Sequence, residues 1–261
     1  MKAFLAVAEE AAEAAGSLIR QNLQKTKEIH YKSAIDLVTS VDREAEERIV
    51  QILHDYYPDH SILAEEGTGA AAAGSDHRWI IDPLDGTTNF THAYPSVGVS
   101  IALEKKGEII LGLVYDPVRE ENFQAVKAAG AFLNGEPVQV SKVADLDKSL
   151  LGTGFPYDRR ERVDFYLSFW KSFMLRCQGI RRTGSAALDL CYLACGRLDG
   201  FWEFKLHPWD TAAGSLIIRE AGGKLSDFSG DKFSIYGKET LASNGLIHEE
   251  MLGVMANISR T

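Results

Sequence analysis

Asp82 and Asp85 stand three apart in Trp79-Ile80-Ile81-Asp82-Pro83-Leu84-Asp85-Gly86-Thr87-Thr88-Asn89-Phe90, each just ahead of a residue that bends the chain. The apolar run before Asp82 is too short for a helix and suits a buried strand that breaks at Pro83 and again at Gly86. Carboxylates delivered together to a sheet edge repel and raise each other's pKa, and a bound cation is the simplest relief. Proline and Asp-Gly are also ordinary turn formers, so a polar strand-to-loop junction is the competing explanation. Further acids stand at comparable places: Glu65-Glu66 after Ser61-Ile62-Leu63-Ala64, Asp210 in Trp209-Asp210-Thr211, and Asp42, for which a helix first turn is reason enough. Ligands that are all oxygen suit hard cations, Mg²⁺ above all where phosphate is bound. Three or four carboxylates can hold two such ions about 3.5–4 Å apart, one acidifying a water and the other stabilising the leaving oxygen. That is phosphoester hydrolysis without a protein nucleophile. Gly86-Thr87-Thr88 behind Asp85 adds a possible helical turn with N–H groups free for phosphate.

Other chemistries fit less well. Haloacid-dehalogenase-type phosphatases carry Asp-x-Asp-Gly-Thr, whereas here the acids are three apart with Pro83 between them. Residues three apart on a strand face opposite sides, so a turn must bring these two together. Cys191 and Cys195 could share a helix face, but no second Cys or His pair follows at zinc spacing, and they read as small buried hydrophobes. The seven histidines form no paired motif.

A chain of 261 residues, 45% hydrophobic and 25% charged, can bury a large core. Its formal net charge of −9 argues against direct nucleic-acid binding. No apolar run reaches membrane-spanning length and the first residues lack signal-peptide charges, so no membrane association is expected. Three cysteines, an odd number, fit a reducing compartment, and the expected location is cytoplasmic.

The elements that must carry the acids are legible in outline. Leu5, Ala8, Ala12, Ala15, Ile19 and Leu23 recur at helical spacing, with Gly16 weakening the helix only mildly. Thr39 or Ser40 caps a second helix with Ala45, Ile49, Ile52, Leu53 and Tyr56 inward, ended by Pro58. Gly67 to Ser75 reads as a mobile loop. Ser96 to Leu103, Ile109 to Tyr115, Asn122 to Val126 and Gly130 to Leu133 read as antiparallel strands, with Asn134-Gly135 a hairpin turn. Helices follow over Phe165 to Met174, from Thr183-Gly184-Ser185 to Gly196, from His207-Pro208 to Gly222-Gly223 and from Leu246 to Met255, with strands at Phe201 to Phe204 and near Leu241. The expected unit is 1–261 as a whole, with 1–145 an α+β half bearing most of the acids and 146–261 an α/β half bearing Asp210.

At this point the residues resemble a known family. Asp82-Pro83-Leu84-Asp85-Gly86-Thr87-Thr88-Asn89-Phe90, and Trp209-Asp210-Thr211-Ala212-Ala213-Gly214 followed by Glu220-Ala221-Gly222-Gly223, look like the two signatures of inositol monophosphatases. Arg181-Arg182-Thr183-Gly184-Ser185-Ala186-Ala187-Leu188-Asp189 is similar to the bacterial branch, and the likeness runs from Lys32-Ser33 to the last helix. The resemblance implies a layered αβαβα sandwich of the sugar-phosphatase type, a homodimer, and Mg²⁺-dependent, Li⁺-inhibited hydrolysis of phosphate monoesters. By position it implies Glu65, Asp82 and the Leu84 carbonyl on one metal and Asp82, Asp85 and Asp210 on another. The implied catalytic set is Glu65, Thr87 and Asp42. Glu65 and Thr87 orient the attacking water, while Asp42 and Glu66 support a third, weaker metal. Gly86 and Thr87 amides take phosphate oxygens. Gly184, Ser185, Ala186 and Glu203 line the sugar side, with Asp85 and Asp210 also reaching substrate; Lys32 is a weaker transfer. Sister families tend toward Gly-Ser-Ser-Asn (fructose-1,6-bisphosphatases) or Gly-Thr-Lys-Glu (nucleotide 3′-phosphatases) where this chain has Gly86-Thr87-Thr88-Asn89. The expected substrate is therefore a small phosphorylated polyol or sugar, first inositol-1-phosphate, with fructose bisphosphate and NADP as alternatives. A role as a non-catalytic partner in a transcription complex, as some bacterial relatives serve, is the competing reading.

Overall fold

Helix α1 (Lys2–Asn22) opens the computed structural model, which describes residues 1–25, 29–31, 37–69 and 74–258. It buries Val7, Ala8, Ala11, Ala12, Ala15 and Ile19, small side chains that let it lie close to a sheet. Gly16 marks the closest approach: a Cβ there would stand 2.5 Å from the Tyr115 ring. The residue that costs helix propensity is thus one the packing needs. Strands β1 (Ile29–Tyr31) and β2 (Leu37–Thr39) pair antiparallel and lead into α2 (Ser40–Tyr56). Thr39 is the N-cap. Its Oγ1 accepts the Val41 N–H at 3.2 Å, and Asp42 returns the favour by accepting the Thr39 N–H at 2.8 Å. Lys32 lies outside the described residues.

A seven-stranded sheet follows in chain order: β3 (Ser61–Ala64), β4 (His77–Asp85), β5 (Gly98–Lys105), β6 (Glu108–Asp116), β7 (Glu121–Val126), β8 (Ala131–Leu133) and β9 (Glu136–Val138). Only β3 and β4 pair parallel; the others are antiparallel neighbours, with Asn134 (φ 50°) and Gly135 (φ 83°) making the left-handed turn that two-residue hairpins favour between β8 and β9. The short helix α3 (Thr87–Thr91) sits between β4 and β5. Residues 70–73 of the expected loop lie outside those described.

The later chain builds a mixed five-stranded sheet from β10 (Leu150–Thr153), β11 (Gly179–Arg181), β12 (Gly200–Phe204), β13 (Lys224–Ser226) and β14 (Glu239–Ser243), in the order β11-β10-β12-β14-β13. Its helices are α4 (Val163–Met174), α5 (Ala186–Ala194), α6 (Pro208–Glu220) and α7 (His248–Ala256). Strands β10, β11 and β13 did not show in the sequence pattern: segments of three or four residues carry too little alternation, and pairing with neighbours makes them strands.

Period-two burial sorts these elements into αβαβα layers. Trp79, Ile81, Val99, Ile101, Leu103, Leu111 and Leu113 face α1 and α2. Ile80, Ala102 and Val114 face the other way, onto α5 and α6, which also cover Phe201 and Ala242 of the second sheet. Trp202 and Leu241 point outward onto Phe169 and Phe173 of α4 and Met251 and Met255 of α7. Cys191 packs within the middle layer with Cys195 partly buried beside it, and Cys177, Cys191 and Cys195 are all free thiols. Among the described residues no helix is long and apolar enough to cross a membrane.

Two expectations need correcting. Tyr56, at the very end of α2, is 55% exposed rather than inward, because the last turn runs past the sheet-facing stripe. Strand β4 does not break at Pro83 but runs on to Asp85. Asp82 pairs with Ser100 and Asp85 with Gly98, so β4 advances one residue more than β5 between these pairs. Proline, which has no N–H to give a ladder, is tolerated at such a bulge. The bulge, rather than a turn, brings two acids three apart to the same side.

His248, at the start of α7, is fully buried, with Nε2 2.9 Å from Ser226 Oγ and Nδ1 2.9 Å from Ser243 Oγ. Burial, with the Lys224 charge adding to it, pushes its pKa down to about 4. Because the folded pKa lies below the unfolded one of about 6.5, the unfolded chain binds the extra proton. His248 therefore stabilises fully above pH 6.5, and that contribution is lost as pH falls toward 4. Relative to His248→Gln, wild type is expected to lose stability at up to about 1.4 kcal/mol per pH unit over this window, as measured by urea unfolding at pH 7.5, 6 and 5.

Candidate active site

The ends of β3 and β4 and the start of α6 converge on one cavity of about 620 Å³, into which Glu65, Asp82, Leu84, Asp85 and Asp210 all face. Local structure places each. Glu65 directly follows β3, and its N–H donates to the Ile81 carbonyl at 3.3 Å, tying it to β4. Asp82 and Asp85 come from the two sides of the bulge. Asp210 sits in the first turn of α6 behind Pro208 and accepts the His207 N–H at 2.6 Å.

Burial and mutual repulsion dominate the electrostatics. Asp82 is held far above the usual carboxylate range by burial and then by the charges of Glu65, Asp85 and Asp210, and it hydrogen-bonds Glu65. Asp210 is raised well above that range by burial and by Asp85 and Glu65, against the His207 N–H. Burial also raises Asp85, opposed by donors at the start of α5: Ser185 Oγ at 2.6 Å and the Ala187 N–H at 2.7 Å, both onto Oδ2. The charges favour a cation, and the donor set of carboxylates plus the Leu84 carbonyl is the all-oxygen kind that a hard divalent ion takes. Among the described residues no three acidic, His or Cys side chains already stand as a closed cage, since several are turned to protein donors. Asp82 Oδ1, for instance, accepts the Leu84 N–H at 3.0 Å. In donor chemistry, all oxygen and densely negative, the residues fit such an ion.

Gly86, at φ 95°, is the N-cap of α3, so the chain turns directly from Asp85 into a helical turn whose first N–H groups lack intrahelical acceptors. Thr87 Oγ1 donates to Asp42 Oδ1 at 2.9 Å and also lies 3.2 Å from the Leu84 carbonyl. Among the described residues, Asp42 and Glu66 are the two predicted ones that do not line the cavity. Asp42 stands buried behind Thr87, its carboxyl raised chiefly by burial and steadied by Thr39 and Thr87. The Glu66 N–H donates to Glu46 Oε2 at 2.7 Å.

Gly184, Ser185, Ala186 and Glu203 form a further wall of the cavity, joined to Asp85 through Ser185. Burial, with the Asp189 and Asp85 charges adding to it and Arg182 opposing, pushes Glu203 up to about 8. A Cβ on Gly154, the residue after β10, would overlap the Glu203 carboxylate, so any side chain there would push that carboxylate aside. Asn89 fastens the wall to the acid side: Nδ2 donates to the carbonyls of Ser96 and Thr183, each at 2.8 Å. Several cavity residues had not been singled out: Gly154, Tyr157, Arg159, Asp189, Lys205 and His207. No local pattern marks them. Asp189, almost fully buried and holding Thr183 Oγ1 at 2.8 Å, could have been flagged only as a carboxylate on a helix that is otherwise apolar.

Ser185 both caps α5, accepting the Leu188 N–H at 3.3 Å, and donates to Asp85. Ser185→Ala is expected to lose about 1–2 kcal/mol in chemical denaturation, from the lost cap together with a buried carboxylate deprived of a donor.

The whole-chain likeness agrees with this geometry. The family model described as "Inositol monophosphatase family" matches residues 1–260. A Pseudomonas aeruginosa protein named "Nus factor SuhB" is 47% identical over 236 residues, covering 88% of this chain and 87% of that protein. A Synechocystis protein named "Inositol-1-monophosphatase" is 46% identical over 257 residues, 98% of this chain and 90% of that one. The solved structure of inositol monophosphatase from Anabaena superposes with a TM-score of 0.90 at 40% identity, covering 99% of this chain and 97% of that chain.

Proposed function

Because this chain belongs to the inositol monophosphatase family, a phosphatase family whose members are generally metal dependent, we propose that it is a Mg²⁺-dependent phosphomonoester hydrolase acting first on inositol-1-phosphate. One observation carries the reading: Glu65, Asp82, Asp85 and Asp210, from elements far apart in sequence, share one cavity with the start of α3. Glu65, Asp82 and the Leu84 carbonyl would hold one ion, and Asp82, Asp85 and Asp210 another. Bound there, Mg²⁺ supplies the positive charge that acidifies the attacking water and stabilises the departing oxygen.

The rest falls to the chain's own groups. Glu65 and Thr87 orient the water, and Asp42 fixes the Thr87 hydroxyl from behind. The N–H groups of Gly86 and Thr87 take phosphate oxygens as a helix start does. The alcohol half lies against Gly184, Ser185, Ala186 and Glu203, whose carboxyl group can exchange hydrogen bonds with ring hydroxyls. Asp42 and Glu66 supporting a third, weaker ion belongs to the same proposal, as do Li⁺ inhibition, cytoplasmic location and a homodimer. For the dimer, the exposed apolar residues Val163, Leu167 and Met174 of α4 offer a surface.

The test is a substrate panel of inositol-1-phosphate, fructose-1,6-bisphosphate and NADP with and without Mg²⁺, Asp85→Asn serving as control. Mg²⁺-dependent phosphate release that is highest on the inositol ester, lost in Asp85→Asn and free of any covalent phosphoenzyme is expected. Equal release by wild type and variant would falsify the metal assignment. Gly154→Ala, which displaces Glu203, is expected to raise KM about tenfold or more while sparing kcat.

A second reading, that the chain also acts as a Nus factor, rests on the printed name of the Pseudomonas relative. Absence of Mg²⁺-dependent activity on every ester, together with specific retention of transcription proteins from lysate, would favour it over hydrolysis.

A further inference from the structure

The buried face of α2 carries two carboxylates one turn apart, Asp42 and Glu46, exposed by 1% and 0%. Like charges at this spacing destabilise a helix, and a buried carboxylate is costly unless donors surround it. Each has its own donors, and these lie on different loops. Asp42 accepts the Thr87 hydroxyl from the loop after β4. Glu46 accepts three hydrogen bonds from the turn after β3: the Glu66 N–H at 2.7 Å on Oε2, and the Thr68 N–H at 2.9 Å and Oγ1 at 2.8 Å on Oε1. Gly67, at φ 93°, supplies the bend that points both amides at one side chain.

Glu65 therefore sits between two fastenings, its own N–H on β4 and its successor's N–H on Glu46. We propose that Glu46 is a positioning residue for the metal corner, its carboxylate fixing the turn so that Glu65 projects beside Asp82 at ligating reach. This rests on the hydrolase reading above. Glu46 touches neither metal nor substrate; it acts through the backbone of residues 66 and 68. Together with Asp42 it makes one helix face the common mount for both loops that carry the acids, so the relative placement of Glu65 and Thr87 is set by two side chains four residues apart.

Glu46→Gln keeps the shape but turns an amide N–H toward a donor that it cannot accept. Calorimetric titration of Mg²⁺ into the metal-free full-length protein is expected to show affinity weakened roughly tenfold, the scale carried by groups that orient a metal's ligands. Amide exchange at Glu66 and Thr68 should speed up, and kcat should recover at high Mg²⁺ with substrate KM unchanged. The exposed neighbour variant Glu47→Gln should bind Mg²⁺ as wild type does. Thr68→Val, on the exposed side of the contact, should show a smaller loss in the same direction and decides the matter if Glu46→Gln does not fold. Wild-type Mg²⁺ affinity in an active, folded Glu46→Gln, or failing that in Thr68→Val, overturns the inference while leaving the hydrolase reading intact. A wild type that neither binds Mg²⁺ nor releases phosphate overturns the hydrolase reading, and the inference with it.

Discussion

Repulsion among buried carboxylates is the constraint around which this molecule is arranged. Asp82, Asp85, Asp210 and Glu65 are forced to share a cavity; burial and the neighbouring acids lift Asp82 and Asp210 well above the usual carboxylate range, and burial alone raises Asp85 against its donors and Arg182. Nothing in propensity or hydrophobic burial rewards that placement. It persists because each acid comes from an element locked by unrelated interactions: parallel pairing of β3 with β4, the bulge against β5, and the proline-started helix α6 between two sheets. The αβαβα layering supplies the rigidity, since α6 is covered on both faces and cannot retreat.

The inner ring of acids is in turn held by an outer ring of donors and acceptors. Ser185 and the amides of α5 meet Asp85, the His207 amide meets Asp210, and Thr87 leans on Asp42. A helix start appears repeatedly in these contacts. That is economical physics: N-terminal N–H groups need acceptors in any case, and the acids need donors.

Much of this was legible in the sequence where the controlling interactions are local. The Thr39 cap with Asp42, Pro208 ahead of Asp210, and Ser185 at the head of α5 are signals within a few residues, and the structure has all three. The alternating strands β5 to β8 were legible for the same reason. Legibility failed where the cause is distant. Pro83 reads as a strand breaker locally, and only the pairing with Ser100 and Gly98 shows it inside a bulge. Gly154 is unremarkable until Glu203 is seen against it. Glu46 looks like one more polar residue in Arg43-Glu44-Ala45-Glu46-Glu47, and its total burial comes from the turn that closes over it.

The bulge in β4 bears on how such a chain can change over time. Because the face presented at Asp85 depends on a single surplus residue, the segment from Asp82 to Gly86 is fixed in length as well as in its two acids. A replacement there alters one side chain, whereas a gain or loss of one residue would swing Asp85 to the α1 and α2 face and bury it among Ile81, Val99 and Ile101. In descendants of this chain the spacing at this edge is therefore held as tightly as the identity of Asp82 and Asp85.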